Sequence, residues 1–169
     1  MRIVSGDIWS SRFDACLRVV PVNLGWKANG ENVMGRGVAQ QAAKRYPDLP
    51  IWYGRRCEFM ARDGDTRLFR YCGLLLFPVK PLDAIAPHLS WRQSADLGLV
   101  EKSTRQLASI PMSKRVTLPL VGCGNGGLDP RDVLPVLAKY LTDDDFTLVL
   151  TPREYGRLRS LIHRVLADG

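Results

Sequence analysis

The sequence predicts an α/β fold, a largely parallel sheet covered by helices on both sides. Short apolar, β-branched segments alternate along the chain with segments whose apolar residues recur at helical spacing. Glycine-rich passages twice stand between such a strand and the helix after it, the place where parallel sheets hold ligands. A chain of 169 residues, 46% hydrophobic and 24% charged, can bury one core and still present a solvated surface. A single domain over residues 1–169 is therefore expected, since no repeat, linker or low-complexity stretch divides it.

Taken in order, Ile3-Val4 and residues 17–22 have the character of strands buried on both faces, and Asn23 ends the second. The polar passage GWKANGENVMGRG, residues 25–37, runs into Val38, Ala39, Ala42, Ala43 and Tyr46, a helical stripe stopped by Pro47. Residues 68–77 read as a strand interrupted by Gly73, with Pro78 and Lys80 downstream. Leu97, Val100, Thr104 and Leu107 mark a helix face ending before Pro111, and residues 116–121 form a further strand. That strand empties into a second glycine cluster, residues 122–127. A helix with Val133, Val136, Leu137, Tyr140 and Leu141 on one face follows, its start contested between Pro130 and Pro135. Residues 146–150 form a buried strand. Thr151-Pro152-Arg153-Glu154 then has capping-box spacing with proline at the first helical position, ahead of a last helix carrying Tyr155, Leu158, Leu161, Ile162 and Val165.

Composition removes several classes of function. The longest apolar run, residues 74–79, is far too short to span a bilayer, and the N-terminus has no apolar stretch of signal-peptide length. Cys16, Cys57, Cys72 and Cys123 form no CxxC pair, which speaks against a zinc site or redox dithiol and fits a reduced, cytoplasmic compartment. Two histidines, His88 and His163, leave little for metal binding or a histidine triad, and no metal or cofactor is expected; His163 falls in a helical stretch and reads as a surface residue. Twenty-four Lys and Arg against seventeen Asp and Glu give a formal charge of +7, dispersed rather than gathered in a tail, which favours an anionic ligand such as a nucleotide or nucleic acid.

Glycines allow a backbone to approach a phosphate closely, and the free N–H groups and dipole of a following helix favour the anion. Two such loops facing one cleft suit a diphosphate. Neither contains the GKS or GKT of a P-loop, so hydrolysis of a nucleoside triphosphate is not expected. Gly122, Gly124 and Gly127 satisfy GxGxxG, yet late in the chain and without an acidic ribose anchor about twenty residues on, so a dinucleotide oxidoreductase is a weak reading.

Six segments together resemble the macrodomain family. They are Gly6-Asp7-Ile8, Val22-Asn23, Val33-Met34-Gly35-Arg36-Gly37-Val38-Ala39 leading to Tyr46-Pro47, Phe77-Pro78-Val79-Lys80, Trp91-Arg92 with Ser94, and residues 118–129. The resemblance is greatest to the branch holding antitoxins that remove ADP-ribose from DNA and the human terminal ADP-ribose glycohydrolase. It implies a three-layer α/β/α fold with a mixed, largely parallel sheet, and an enzyme that removes ADP-ribose from a modified macromolecule, foremost a DNA base (thymidine). By that resemblance Asp7 accepts from the adenine amino group, with Ile8 as a backbone donor. Asn23 touches the distal ribose. Met34, Gly35, Arg36, Gly37 and Val38 on one side wrap the diphosphate and ribose, with Gly122, Cys123, Gly124, Asn125, Gly126, Gly127 and Leu128 on the other.

In this branch the lysine of the FP-x-K segment, here Lys80, acts at the distal ribose. A lysine amine is a nucleophile only when neutral, so the cleft has to lower its pKa by burial or nearby positive charge; otherwise it serves as a cation. Asp129 is a second catalytic candidate. The catalytic aspartate of the human member, however, matches Gly126, and Asp129-Pro130 also suits a helix N-cap, the role that weighs more. Residues 25–32 are longer than the family loop, residues 82–89 look inserted, and Pro130 stands where the branch commonly has tryptophan. Single-stranded DNA steered by Arg36, Arg55, Arg56 and Arg92, a paired ADP-ribosyltransferase toxin and a monomeric state complete the expectations. A non-catalytic ADP-ribose reader, and a phosphatase or deacylase on small ADP-ribose derivatives, are the alternatives.

Overall fold

Residues 17–23 and 74–80 are apolar at nearly every position and need cover on both faces. The structure, a computed structural model, describes residues 1–111 and 113–167 and supplies that cover. Its strands are β1 (Arg2–Ser5), β2 (Leu17–Asn23), β3 (Phe69–Tyr71), β4 (Leu74–Lys80), β5 (Val116–Leu118) and β6 (Phe146–Leu150). They form one sheet in the order β1-β6-β5-β2-β4-β3, parallel throughout except for the antiparallel pair β3–β4. The helices are α1 (Gly37–Arg45), α2 (Leu49–Asp63), α3 (Leu97–Ser109), α4 (Pro130–Tyr140) and α5 (Pro152–Ala167).

Alternation along the strands splits the core in two. Val19, Leu75, Phe77 and Val79 point into a cluster with Val100 and Leu107 of α3, Val133 and Leu137 of α4, and Leu158 and Ile162 of α5. Val20, Val22, Leu74 and Leu76 point the other way, onto Ala42 of α1 and Leu49, Tyr53, Cys57 and Met60 of α2. This is the mixed, three-layer sandwich the sequence suggested.

Three elements differ from the reading of the sequence. Helix α2 was not anticipated, because Pro47 reads as a stop; Pro50 instead lies in the first turn of a new helix, where its missing N–H costs nothing. Leu49, Tyr53, Cys57 and Met60 recur at helical spacing down its buried face, and Gly64 in the left-handed region (φ 76°) ends it. Residues 68–77 are not one strand but a hairpin, since Cys72 (φ 44°) and Gly73 (φ 81°) make a two-residue turn that returns β4 beside β3. β5 stops at Leu118, where Pro119 has no N–H to continue the ladder.

Other boundaries follow the residues that set them. Pro130 takes the first position of α4, while Pro135 lies a turn later on the exposed side, where the carbonyl left unbonded can reach water. The capping box of α5 is formed: Glu154 Oε2 accepts from the Thr151 N–H (2.9 Å) and hydroxyl (2.7 Å), and Thr151 Oγ1 accepts from the Glu154 N–H (3.3 Å). His163 is exposed on α5. No helix is long and apolar enough to cross a membrane among the described residues.

Two helical glycines give a contrast in stability. A Cβ on Gly54 of α2 would lie 1.9 Å from the Gly30 carbonyl oxygen and 2.7 Å from the Asn32 nitrogen, whereas one on Gly156 of α5 would meet nothing within 4 Å. Gly54→Ala is expected to cost at least about 3 kcal/mol by overpacking, and Gly156→Ala to add about 0.5–1 kcal/mol by restricting the unfolded chain. Urea denaturation of both variants reads the two signs.

Candidate functional site

Because β1, β2, β4, β5 and β6 run parallel, their carboxyl ends emerge along one edge of the sheet. A cleft of about 1190 Å³ opens there. Gly6, Asp7 and Ile8 line it after β1, Asn23 at the end of β2, Lys80 at the end of β4, Pro119 to Gly126 after β5 in part, and Thr151, Pro152 and Glu154 after β6. Gly35, Arg36, Gly37, Val38 and Ala39 form the wall at the start of α1.

The start of α1 differs from the other helices that follow a parallel strand. Asp96 caps α3, its carboxylate accepting from the Leu99 N–H at 2.6 Å; Asp129 caps α4, accepting from the Arg131 N–H at 2.8 Å; and α5 has its capping box. Arg36 at the N-cap of α1 makes no such bond. The first-turn amides of α1 thus keep their donors and their positive dipole end for whatever enters the cleft. Across from them, the N–H groups of Gly124, Asn125 and Gly126 find no protein acceptor among the described residues.

The glycines make this arrangement possible. Gly37 (φ 60°) lies in the left-handed region, and a Cβ there would come 3.2 Å from Asn125 Nδ2, so the two loops meet. A Cβ on Gly126 would come within 2.3 Å of the Gly122 carbonyl oxygen, because the second loop folds back on itself. Gly35 and Gly124 would meet nothing within 4 Å, and both line the cleft. Their missing side chains leave room for a ligand against bare backbone.

Lys80 and Asn23 are brought side by side by an irregularity of register. Val22 is opposite Pro78, but Asn23 is opposite Lys80, so β4 carries one extra residue at this point and its last side chain is re-aimed. The Lys80 ammonium or amine donates to the Trp91 carbonyl oxygen at 2.8 Å. Burial, and after it the positive charge of Arg36, hold its pKa below that of an ordinary lysine.

Asn23 is buried, and its amide is largely engaged within the protein. Its Nδ2 donates to the Val33 carbonyl (2.8 Å), while its Oδ1 accepts from the Gly25 N–H (3.0 Å) and from Asn32 Nδ2 (3.1 Å). One N–H remains for the cleft that it lines. Asp7 is exposed at the opposite end; one of its oxygens accepts from the Trp9 N–H at 2.9 Å and the other is free to accept from a ligand. The Ile8 N–H has no acceptor among the described residues.

Several expected site residues lie elsewhere. Met34 turns inward and is buried in the core with Val22 and Leu49. Cys123 and Leu128 pack against the core under α3 and α4, and burial pushes the Cys123 thiol up to about 12. Gly127 (φ 78°) is a turn position. None of these four, nor Asp129, lines the cleft: the carboxylate of Asp129 is turned to the first turn of α4. Of the basic residues, Arg36 and Arg92 line it and Arg55 and Arg56 do not; the Arg56 guanidinium lies 3.8 Å from the centre of the Trp52 ring.

The sequence reading missed Gln41 and the box at Thr151. Gln41 lines the cleft, and its Oε1 accepts from Trp9 Nε1 at 2.7 Å. Thr151 and Glu154 were recognised as a cap, but that this cap borders the Asp7 end depends on β6 pairing with β1. Among the described residues, no group of three or more His, Cys, Asp and Glu side chains is placed to hold a metal.

No family model matches the sequence. The chain is similar to a DNA ADP-ribosyl transferase–DNA ADP-ribosyl glycohydrolase fusion protein of Thermosipho africanus, 25% identical over 167 residues that cover 84% of this chain and 39% of that protein. It is similar also to a DNA ADP-ribosyl glycohydrolase of Thermus aquaticus, 29% identical over 140 residues, 76% of this chain and 34% of that one. The chain thus spans little more than a third of the length of these curated relatives. Among solved structures, the macrodomain of Mycobacterium tuberculosis DarG superposes with a TM-score of 0.68 at 26% identity, covering 89% of this chain and 97% of that one. Thermosipho africanus DarTG in complex with ADP-ribose gives 0.66 at 22% identity, covering 89% and 41%. An Oceanobacillus iheyensis macrodomain gives 0.62 at 16% identity over 99% and 92%, a likeness of fold.

The placement of Asp129 predicts a structural and not a chemical phenotype. Asp129→Ala is expected to cost about 1 kcal/mol of stability and Asp129→Ser close to nothing, as for other N-caps. Urea denaturation of both variants reads the difference.

Proposed function

The chain has the macrodomain fold, and from that premise we propose that it is an ADP-ribosyl hydrolase which removes ADP-ribose from a modified DNA base, thymidine foremost. The observation that carries this reading is the uncapped start of α1 facing the unpaired amides at Gly124, Asn125 and Gly126 across one cleft, with Lys80 at its far end. Backbone donors on both sides match a diphosphate, whose four oxygens need several donors and no base. Asp7 and the Ile8 N–H at one end then read an adenine, an exocyclic amine next to a ring acceptor. Lys80 and the remaining N–H of Asn23 are at the other end, where the distal ribose arrives. The DNA ADP-ribosyl glycohydrolases among the relatives support the same acceptor, and the transferase fused to one of them supports pairing with an ADP-ribosyltransferase toxin.

The chemistry asked of Lys80 follows from its surroundings. Burial and Arg36 both disfavour the ammonium, which increases the share of neutral amine. Its lone pair adds to the anomeric carbon of the distal ribose as the bond from that carbon to the base breaks, the electron pair leaving with the base, which takes up a proton. The Trp91 carbonyl, 2.8 Å from Nζ, orients the amine and holds one of its hydrogens during the approach. Water then hydrolyses the lysine–sugar linkage, releasing ADP-ribose and restoring the amine.

Parallel incubation with ADP-ribosylated single-stranded DNA, ADP-ribosylated protein and ADP-ribose phosphate identifies the substrate; release from DNA is the expected result, and release from neither macromolecule would overturn the reading. Lys80→Ala should lose at least ~10²-fold in rate, the scale of one catalytic group, while ADP-ribose still binds. Borohydride added during turnover should trap a sugar on Lys80. Because the neutral amine is the active form, the rate should climb with pH and level off above the lysine's pKa, with a midpoint below the ordinary value of 10.5.

A further inference from the structure

Whatever acceptor carries the ADP-ribose has to leave from a point beside Lys80 Nζ, and Nζ is held 2.8 Å from the carbonyl of Trp91. Trp91 lines the same cleft, and 36% of the residue is exposed. The Arg92 guanidinium lies 5.2 Å from the ring centre, and no aromatic side chain stacks on the ring among the described residues. An aromatic side chain of this size usually gains its keep by burial. Here one is left part-exposed on the residue whose own carbonyl holds Lys80.

The segment that carries Trp91 is also held in place. Between Lys80 and Trp91 the chain is braced by Asp83, whose carboxylate accepts from the Ile85 N–H (3.1 Å), the Ala86 N–H (2.9 Å) and the Gln93 amide (3.3 Å). The fully buried Ser90 hydroxyl accepts from the Asp83 N–H (2.9 Å) and donates to the Pro87 carbonyl (2.8 Å). Beneath them Gly25 leaves no slack: a Cβ there would lie 2.0 Å from the Pro87 carbonyl oxygen. A bracket tied in this way presents a surface and does not fold over as a flap.

We propose that Trp91, flanked by Arg92, is the platform on which the acceptor base stacks while its bond to the ribose is broken, and that it selects a planar base of single-stranded DNA over a carboxylate of protein. The inference rests on the hydrolase reading above. The face of an indole stacks on any base, whereas a glutamate esterified to the ribose has no flat ring to stack, and the carboxylate it becomes on leaving is repelled by the negative charge density of that face. The guanidinium beside it adds a planar cation for the base or its phosphate. A base within a duplex is covered by its neighbours and cannot use the platform, so the substrate is single-stranded or locally opened.

The test measures binding of free ADP-ribose, of a single-stranded oligonucleotide carrying one ADP-ribosylated thymidine, and of a peptide carrying an ADP-ribosylated glutamate. All are measured in a Lys80→Ala background to prevent turnover. The oligonucleotide should bind more tightly than free ADP-ribose, and Trp91→Leu should reduce that ratio by about tenfold, the effect of losing one stacked base. Trp91→Phe should restore most of it, and the peptide ratio should not respond. Binding of free ADP-ribose reports that each variant is folded. An oligonucleotide that binds no better than ADP-ribose, a ratio unaffected by Trp91→Leu, or an equal loss for the peptide would each overturn the platform. If wild-type protein releases nothing from DNA yet the ratio falls, the hydrolase reading fails and the platform stands. If release depends on Lys80 but the ratio is unmoved, the platform alone fails.

Discussion

The site depends on donors left without partners at the beginning of one helix. A helix start normally has its free N–H groups answered by a side chain, and α3, α4 and α5 follow that rule through Asp96, Asp129 and the Thr151–Glu154 box. α1 opens with Arg36-Gly37 instead, a cation and a residue without a side chain. The amides there are unsatisfied by the protein at the one place where all five parallel strands deliver their loops. The positive backbone angle of Gly37 and the bare backbone at Gly35 and Gly124 keep those donors reachable.

Positive potential concentrated in this way also acts on the protonation of Lys80. Arg36 belongs to the wall that would hold an anion, and its charge also disfavours protonation of Lys80. An anion bound between the two would offset that effect, so the protonation of Lys80 and the occupancy of the cleft are linked. The register change between β2 and β4 places Lys80 level with Asn23, so the backbone sets the position of the amine and the local field its protonation.

The two segments that the sequence resemblance marks as departures, residues 25–32 and 82–89, hold one another in place. Residues 25–32 pack through Gly25 onto Pro87 and Ser90 and through Gly30 and Asn32 onto Gly54 of α2. Asn32 Nδ2 reaches the carbonyls of Asn23 (2.9 Å) and Gly25 (2.7 Å), which fixes the turn that follows β2. Both segments are packed and hydrogen-bonded structure that supports Asn23 and Trp91.

Periodicity and turn chemistry determined most of the architecture: strand character at residues 17–22, the glycine loops, the helix stripes and the Thr-x-x-Glu box are local patterns, and local sterics and hydrogen bonding decide them. The hairpin at Cys72-Gly73 and helix α2 were hidden for local reasons too, one because cysteine rarely takes a positive φ, the other because Pro47 and Pro50 stand so close that a stop conceals a start. Which side chains turn into the cleft was not local. Met34 and Gly35 are adjacent, yet one fills the core and the other faces open space; Asp129 follows the glycine loop yet turns to its own helix. Gln41, Thr151 and Trp91 join the site because β6 pairs with β1, Trp9 reaches across to α1, and a braced segment returns Trp91 to Lys80. Those contacts join residues far apart in the chain, and the sequence pattern around each of them carries no record of its partner.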